Sequence, residues 1–203
     1  MRFRTVAVLA ALTGTISAPA LAATNVALGA TVVTAGSGMG ASDGWCCGNF
    51  TQSSIVNGSP LPDGTQWNSG TAFWSSGVGA FDSVDTVTVN LAHTATVSQI
   101  WLQADNNDTY RVSYWNGSNW QLLSDFGKYG AYGLATRSLV TLDTPVTTNA
   151  FQIIATDGDL HYSVGQFTAM GNVAAVPEPE TYAMMMAGLG IMGVVARRRK
   201  QQA

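Results

Sequence analysis

Three short stretches of this 203-residue chain gather side chains able to do chemistry. In Gly44-Trp45-Cys46-Cys47-Gly48 two adjacent thiols sit between glycines, with Trp45 and Phe50 flanking them. Asp105-Asn106-Asn107-Asp108 offers carboxylates and amides, and Asp159-Leu160-His161 places a carboxylate near one of the two histidines. The only two thiols of the chain tend to oxidise if it is exported. Neighbouring Cα atoms lie about 3.8 Å apart, closer than a disulfide prefers, so a Cys46–Cys47 bond is strained. Gly44 and Gly48 relieve such strain, and this bond is the expected state. Reduced thiols and disulfides to other chains are the alternatives. A rigid loop bearing Trp45 and Phe50 suits stacking on a sugar face, or packing of those rings on the edge of the fold. With Trp74 and Tyr132 they form a loop set rich in aromatics and poor in cations, suited to a neutral or weakly polar glycan. His161 is added to that set as a loop residue beside Asp159.

Catalytic arrangements do not assemble. No Ser stands in a Gly-x-Ser-x-Gly elbow, and His93 falls in a turn-like "LAHTAT". Ten Asp would bring some pair to glycosidase spacing by chance, so the chain is not expected to be an enzyme. Gly36-Ser37-Gly38-Met39-Gly40-Ala41 has dinucleotide-fingerprint spacing, but Ser42-Asp43-Gly44 follows where a helix must open. Asp105 to Asp108 reads first as a turn satisfying its own backbone, with a cation or sugar site as the alternative. Arg137 is expected to pair with a neighbouring Asp.

The elements that would position these residues are β-strands. Thr86–Leu91 and Tyr110–Tyr114 alternate, and Val97–Ala104, Thr136–Leu142, Phe151–Ala155 and Val164–Met170 read as further strands. Asn116-Gly117 and Asp157-Gly158 supply turn chemistry between them. Many short strands predict an all-β sandwich or barrel. Between residues 23 and 175 there are ten Asp, no Glu and three cations, Arg111, Lys128 and Arg137, leaving about −7. Nucleic acid, which demands clustered cations, is excluded as a partner.

The ends differ. Arg2 and Arg4, the apolar stretch Val6–Ile16 and Ala20-Leu21-Ala22 predict a secretory signal peptide over 1–22. Thr181–Ala196 carries no charge and would make a helix of about 24 Å, marginal against a hydrocarbon core of about 30 Å. Arg197, Arg198, Arg199 and Lys200 then place that end in the cytoplasm, with the body of the chain across the inner membrane. Pro177 and Pro179 keep the preceding stretch out of helix and sheet. The organisation expected is thus 1–22 signal, 23–175 β-sandwich, and 176–203 tail with a membrane helix at 181–196.

Pro177-Glu178-Pro179, an apolar helix and an arginine cluster, in that order at the terminus, resemble the PEP-CTERM sorting signal of Gram-negative bacteria. The resemblance implies recognition by an exosortase. The chain would be held on the periplasmic side before processing, then pass to the cell surface or extracellular matrix. A second resemblance rests on "NVALGA" (25–30), "IVNG…W" (55–67), "LQADNNDTYRVSY" (102–114), "NGSNW" (116–120), "GLATR" (133–137) and "GDLHYSVGQF" (158–167). Together these look like a discoidin, or coagulation-factor type C, domain. That family implies a galactose-binding-like jelly roll and non-catalytic binding, here of exopolysaccharide or another biofilm glycan, with a ligand-free structural matrix protein as the first alternative and a glycan-active enzyme as the second. Many such domains hold calcium between an early loop and the last strand. Carried over, the positions are Asn57 and Gln166, both of which lose charge, with Asp63 and Thr65 as further oxygen donors.

Overall fold

The computed structural model describes residues 22–75, 85–130, 132–174 and 179–201. The expected signal peptide, apart from residue 22, lies outside the described residues, as do Pro177 and Glu178.

The strands in chain order are β1 (Thr24–Asn25), β2 (Thr31–Ala35), β3 (Asn49–Phe50), β4 (Ser69–Ser75), β5 (Thr86–Asp105), β6 (Thr109–Trp115), β7 (Trp120–Phe126), β8 (Leu134–Thr136), β9 (Val140–Asp157) and β10 (His161–Val173). Two long strands organise the rest. The first half of β5 pairs with β2 and with the second half of β9, whose other edge carries β6 and then β7. The second half of β5 pairs with β8, with β10 and with the first half of β9. Beyond β10 lie β1, β4 and β3, the last joined to β4 in parallel. Register shifts between Asn90 and Ala95, and between Val97 and Gln99, let β5 cross from one layer to the other. The result is an all-β sandwich of jelly-roll type.

The alternation seen in the sequence becomes the core. Val87, Val89, Val97, Ile100 and Leu102 of β5 are fully buried with Val112, Phe151, Ile153, Val164 and Phe167. Each such aliphatic or aromatic side chain contributes about 1.5–3 kcal/mol by leaving water. Thr86–Leu91 and Val97–Ala104, expected as two strands, are one continuous β5. Thr136–Leu142, expected as one strand, is broken at residues 137–139, where the pairing along β5 slips by one residue between Gln103↔Thr136 and Ile100↔Val140.

The fingerprint-like glycines form no nucleotide loop. The Gly38 N–H donates to Asp85 Oδ1 at 3.0 Å, and a Cβ on Gly36 or Gly38 would overlap the Asp85 side chain. They are small because Asp85 packs on them.

The tail forms α1 (Pro179–Gln201). Pro179 stands at its first position, where a missing N–H leaves no bond unmade, so this proline opens the helix that it was expected to exclude. The described side chains from Ala183 to Gly193 are exposed, and none of them joins the core. Among the described residues no helix is long and apolar enough to cross a membrane. The segment expected to span the membrane, 181–196, lies within α1, where Gly188, Gly190 and Gly193 dilute its apolar character and sixteen residues rise about 24 Å.

Candidate functional site

One end of the sandwich carries a cleft of about 130 Å³ lined by residues from five separate connections. Trp45 comes from the β2–β3 loop, where its N–H donates to the Ser42 carbonyl at 2.9 Å. Gln66 and Trp67 precede β4, and Asp105, Asn106 and Asn107 form the β5–β6 turn. Tyr132 and Gly133 lead into β8, while Asp159 and His161 come from the β9–β10 turn. Gly133 has φ +63 and touches the Gly64 and Thr65 backbone so closely that a Cβ would collide with it. That contact fixes Tyr132 over the cleft.

The aromatic walls are Trp45, Trp67 and Tyr132. Trp45 is 56% exposed and meets the His161 ring edge-on at 6.2 Å between centroids. Trp67 is 6% exposed, lies 5.4 Å from the same imidazole and packs edge-on against Phe73. Tyr132 is 66% exposed, and its hydroxyl hydrogen-bonds to Gln66 Oε1. The imidazole thus stands between two indoles; Asp159 Oδ1 accepts the main-chain N–H of His161 at 3.0 Å, and the ring Nδ1 lies 3.2 Å from the Asp159 carbonyl oxygen. Asp43 Oδ2 lies 3.8 Å from His161 Nε2.

The polar floor is anchored from behind. Asn107 Nδ2 donates to Asp159 Oδ2 at 2.7 Å, joining the two turns. Asn106 receives the Tyr129 N–H at its carbonyl and donates its own N–H to the Gly133 carbonyl. Beneath them the buried Arg137 guanidinium donates to the carbonyls of Asp105 at 2.5 Å, Gly127 at 2.9 Å, Ala135 at 3.1 Å and Asp108 at 3.4 Å. It was expected to pair with an Asp carboxylate; instead it ties the turn by main-chain oxygens, which are what a tight turn presents inward. Burial lowers its pKa, opposed by the surrounding oxygen charges.

Two carboxyls in this turn are displaced from their ordinary range. Burial pushes Asp105 up to about 6, against the pull of the Asn106 N–H. Burial and then the charge of Asp105 push Asp108 up to about 8, against the hydroxyl of Tyr110 that donates to it at 3.0 Å. Asp105 faces the cleft; Asp108 lies behind it, fully buried.

Of the expected ligand-binding residues, Trp45, Tyr132 and His161 meet here, while two do not. Trp74 is 1% exposed and stacks in the core with Tyr162 at 5.8 Å and Tyr110 at 6.2 Å, because the inward register of β4 points it there. Phe50 is half-buried, edge-on to Phe73 at 5.4 Å, and belongs to the packing around the core. Trp67, Gln66 and Asp159 also line the cleft and were not among the residues expected there. The signal for Trp67 was its position just before a strand, after the Asp63-Gly64 turn.

Cys46 and Cys47 are both free and exposed, with Sγ atoms 3.0 Å apart in a thiol–thiol contact. The pair is thus reduced here, one of the states the sequence allows, and its sulfurs stay within easy reach of the bond expected between them. The hydrogen bond with Cys46 raises the pKa of Cys47.

Three of the four calcium candidates spend a side-chain oxygen within the protein. Asp63, the one carboxylate among them, accepts from Gln103 Nε2 at 3.0 Å, the Thr136 N–H at 3.0 Å and the Thr136 hydroxyl at 2.8 Å through a single oxygen. Asn57 Oδ1 caps the Ser59 N–H at 2.7 Å, and the Thr65 hydroxyl donates to the Pro62 carbonyl at 2.6 Å. Gln166 is buried with its neutral Oε1 unpartnered. Among the described residues no group of three or more His, Cys, Asp or Glu could hold a metal ion.

Comparisons with known proteins divide between the tail and the sandwich. Residues 175–200 match the PEP-CTERM protein-sorting motif. No curated protein matches the chain. Among solved structures it is similar to chitosan-binding module 1 of a chitosanase/glucanase from Paenibacillus sp. IK-5, at 21% identity over 72% of this chain and 98% of that one, TM-score 0.48. It is similar to chitosan-binding module 2 of the same enzyme, solved with chitotriose, at 18% identity over 71% and 98%, TM-score 0.48. It is also similar to the family 32 carbohydrate-binding module of C. perfringens NanJ, solved with galactose, at 17% identity over 68% and 93%, TM-score 0.45.

Proposed function

We propose that the chain is an exported, tail-sorted protein whose sandwich binds a glycan without chemical change, in the extracellular matrix or at the cell surface of a Gram-negative bacterium. The observation that carries the binding half is the convergence of Trp45, Trp67 and Tyr132 around a floor of Asn107, Asp159 and His161. Sugar rings present apolar faces that stack on indoles and a rim of hydroxyls that need fixed donors and acceptors. Exopolysaccharide or another biofilm glycan is the natural partner for a sorted surface protein. The sorting half rests on the match at 175–200: a signal peptide over 1–22 is removed, the sandwich spans 23–175, and an exosortase processes the chain at Pro177-Glu178-Pro179.

A glycan-array screen of the full chain beside Trp45→Ala tests the binding half. Retained signal for one glycan class in wild type and its loss in the variant, with unchanged melting temperature, is expected. No binding at millimolar glycan would leave a purely structural matrix protein. For the sorting half, intact mass in an exosortase-bearing host should lack Lys200, and a full-length product would overturn processing.

A further inference from the structure

The charge around the cleft is one-sided. Asp105 and Asp159 line it, and Asp43 approaches it beside His161. None of the three cations of residues 23–175 faces it. Arg111 is bonded to Asp125, Lys128 lies 3.2 Å from Asp157, and Arg137 is 5% exposed and spent on carbonyl oxygens. Two acceptors in the wall lack donors. Asp105 is 4% exposed; its Oδ1 accepts the Asn106 N–H at 2.8 Å, while Oδ2 has no hydrogen-bond partner among the described residues. The buried Oδ1 of Asn107 is likewise unpartnered. A neutral sugar hydroxyl brings one donor and two lone pairs to such a wall. A primary ammonium brings three donors, no acceptor and a positive charge, and it is attracted both to carboxylates and to the faces of Trp45 and Trp67.

We propose that the cleft selects an amino sugar with a free ammonium group over its N-acetylated form, seating the nitrogen toward Asp105 and Asp159 while the ring stacks on the indoles. This rests on the glycan reading above and names its ligand class. Acetylation would leave a single N–H and turn a carbonyl oxygen toward a wall already crowded with acceptors.

The carboxyl of Asp105 supports a pH window. The groups facing it are Asp159, whose charge opposes its ionisation, and Arg137 and His161, whose charges favour it, while Asp108 behind it keeps its proton up to about 8. With Asp105 pushed up to about 6 by burial, the wall gains its full charge only above that pH. An amine resembling an α-amino group loses its charge above about 8. Affinity is therefore greatest between these limits.

Calorimetric titration of the full chain with the glucosamine trimer and the N-acetylglucosamine trimer, at pH 5, 7 and 9, tests this. The expected result is at least tenfold tighter binding of the amino trimer at pH 7, with the gap shrinking at pH 5, at pH 9 and in high salt. Asp105→Asn and the exposed Asp159→Asn should each narrow the gap between the two trimers, whereas Trp45→Ala should weaken both and leave the gap in place. Equal affinity for the two trimers, still lost in Trp45→Ala, would overturn the amino preference and leave the glycan reading standing. Absence of any binding by wild type to these or other glycans would overturn both. Should Asp105→Asn fail to fold, Asp159→Asn alone decides, and an unchanged gap in that variant counts against the proposal.

Discussion

Asp108 is fully buried with a carboxyl pushed up to about 8, so the folded chain holds there a proton that the unfolded chain, at an ordinary 3.8, gives up. Between those values the native state binds more protons than the unfolded one, and stability must fall as pH rises. Each pH step in the window costs about 1.36 kcal/mol, and on the order of 5 kcal/mol accumulates across it. Asp105, pushed up to about 6, adds a smaller loss of the same sign that is complete at lower pH. Asp108→Asn replaces the neutral acid with a neutral isostere. It keeps an acceptor for the Tyr110 hydroxyl but loses the long bond from the Asp159 N–H at 3.3 Å, at about 1 kcal/mol. The variant should therefore be slightly weaker than wild type at pH 4, overtake it near neutrality and be more stable by several kcal/mol at pH 9. Urea denaturation at intervals from pH 4 to 9 reads this directly. Parallel stability curves for the two proteins would refute the claim that Asp108 carries the native proton.

Other consequences are simpler to read. Arg137→Ala leaves four carbonyls of the cleft-bearing turns without their donor and should cost about 3 kcal/mol or more, seen as a fall in melting temperature together with loss of glycan binding. Both cysteines should take up a maleimide without prior reduction, giving two additions in the intact mass; a blocked pair would return the bond first expected between Cys46 and Cys47. Calcium or a chelator should leave the melting temperature unmoved, since Asp63 is already committed to Gln103 and Thr136; a rise of several degrees with calcium would show that those bonds yield to the ion.

The sheet was legible because a strand with one buried face must alternate, and Thr86–Leu91 does so without interruption. That it runs on through residues 92–96 to become one strand with Val97–Ala104 was hidden, since bulges between layers follow from packing and leave no period in the sequence. The aromatic platform was half visible. Trp45 lies among glycines and an Asp, which mark a loop, and it is indeed exposed. Trp74 has Ser on one side and apolar residues on the other, and residue type alone cannot tell a loop ring from a core ring. The Asp105–Asp108 turn reading was sound for Asp105, whose Oδ1 holds the next N–H, but its cleft-facing role depends on Asp159 and His161 more than fifty residues away. The tail was the clearest signal, because its order of proline, apolar run and cations is local.

The central claim is that one end of the sandwich, and that end alone, takes the sugar. The chain has six tryptophans, two of which line the cleft. The measurement that tests it most directly is the indole N–H spectrum of the ¹⁵N-labelled chain, assigned by single Trp→Phe replacements and titrated with the glycan it binds. The account predicts that the signals of Trp45 and Trp67 move with saturating ligand while those of Trp74, Trp101, Trp115 and Trp120 stay fixed. Movement confined to Trp115 and Trp120, the 5.4 Å pair at the β6–β7 turn, would place the sugar elsewhere and contradict it.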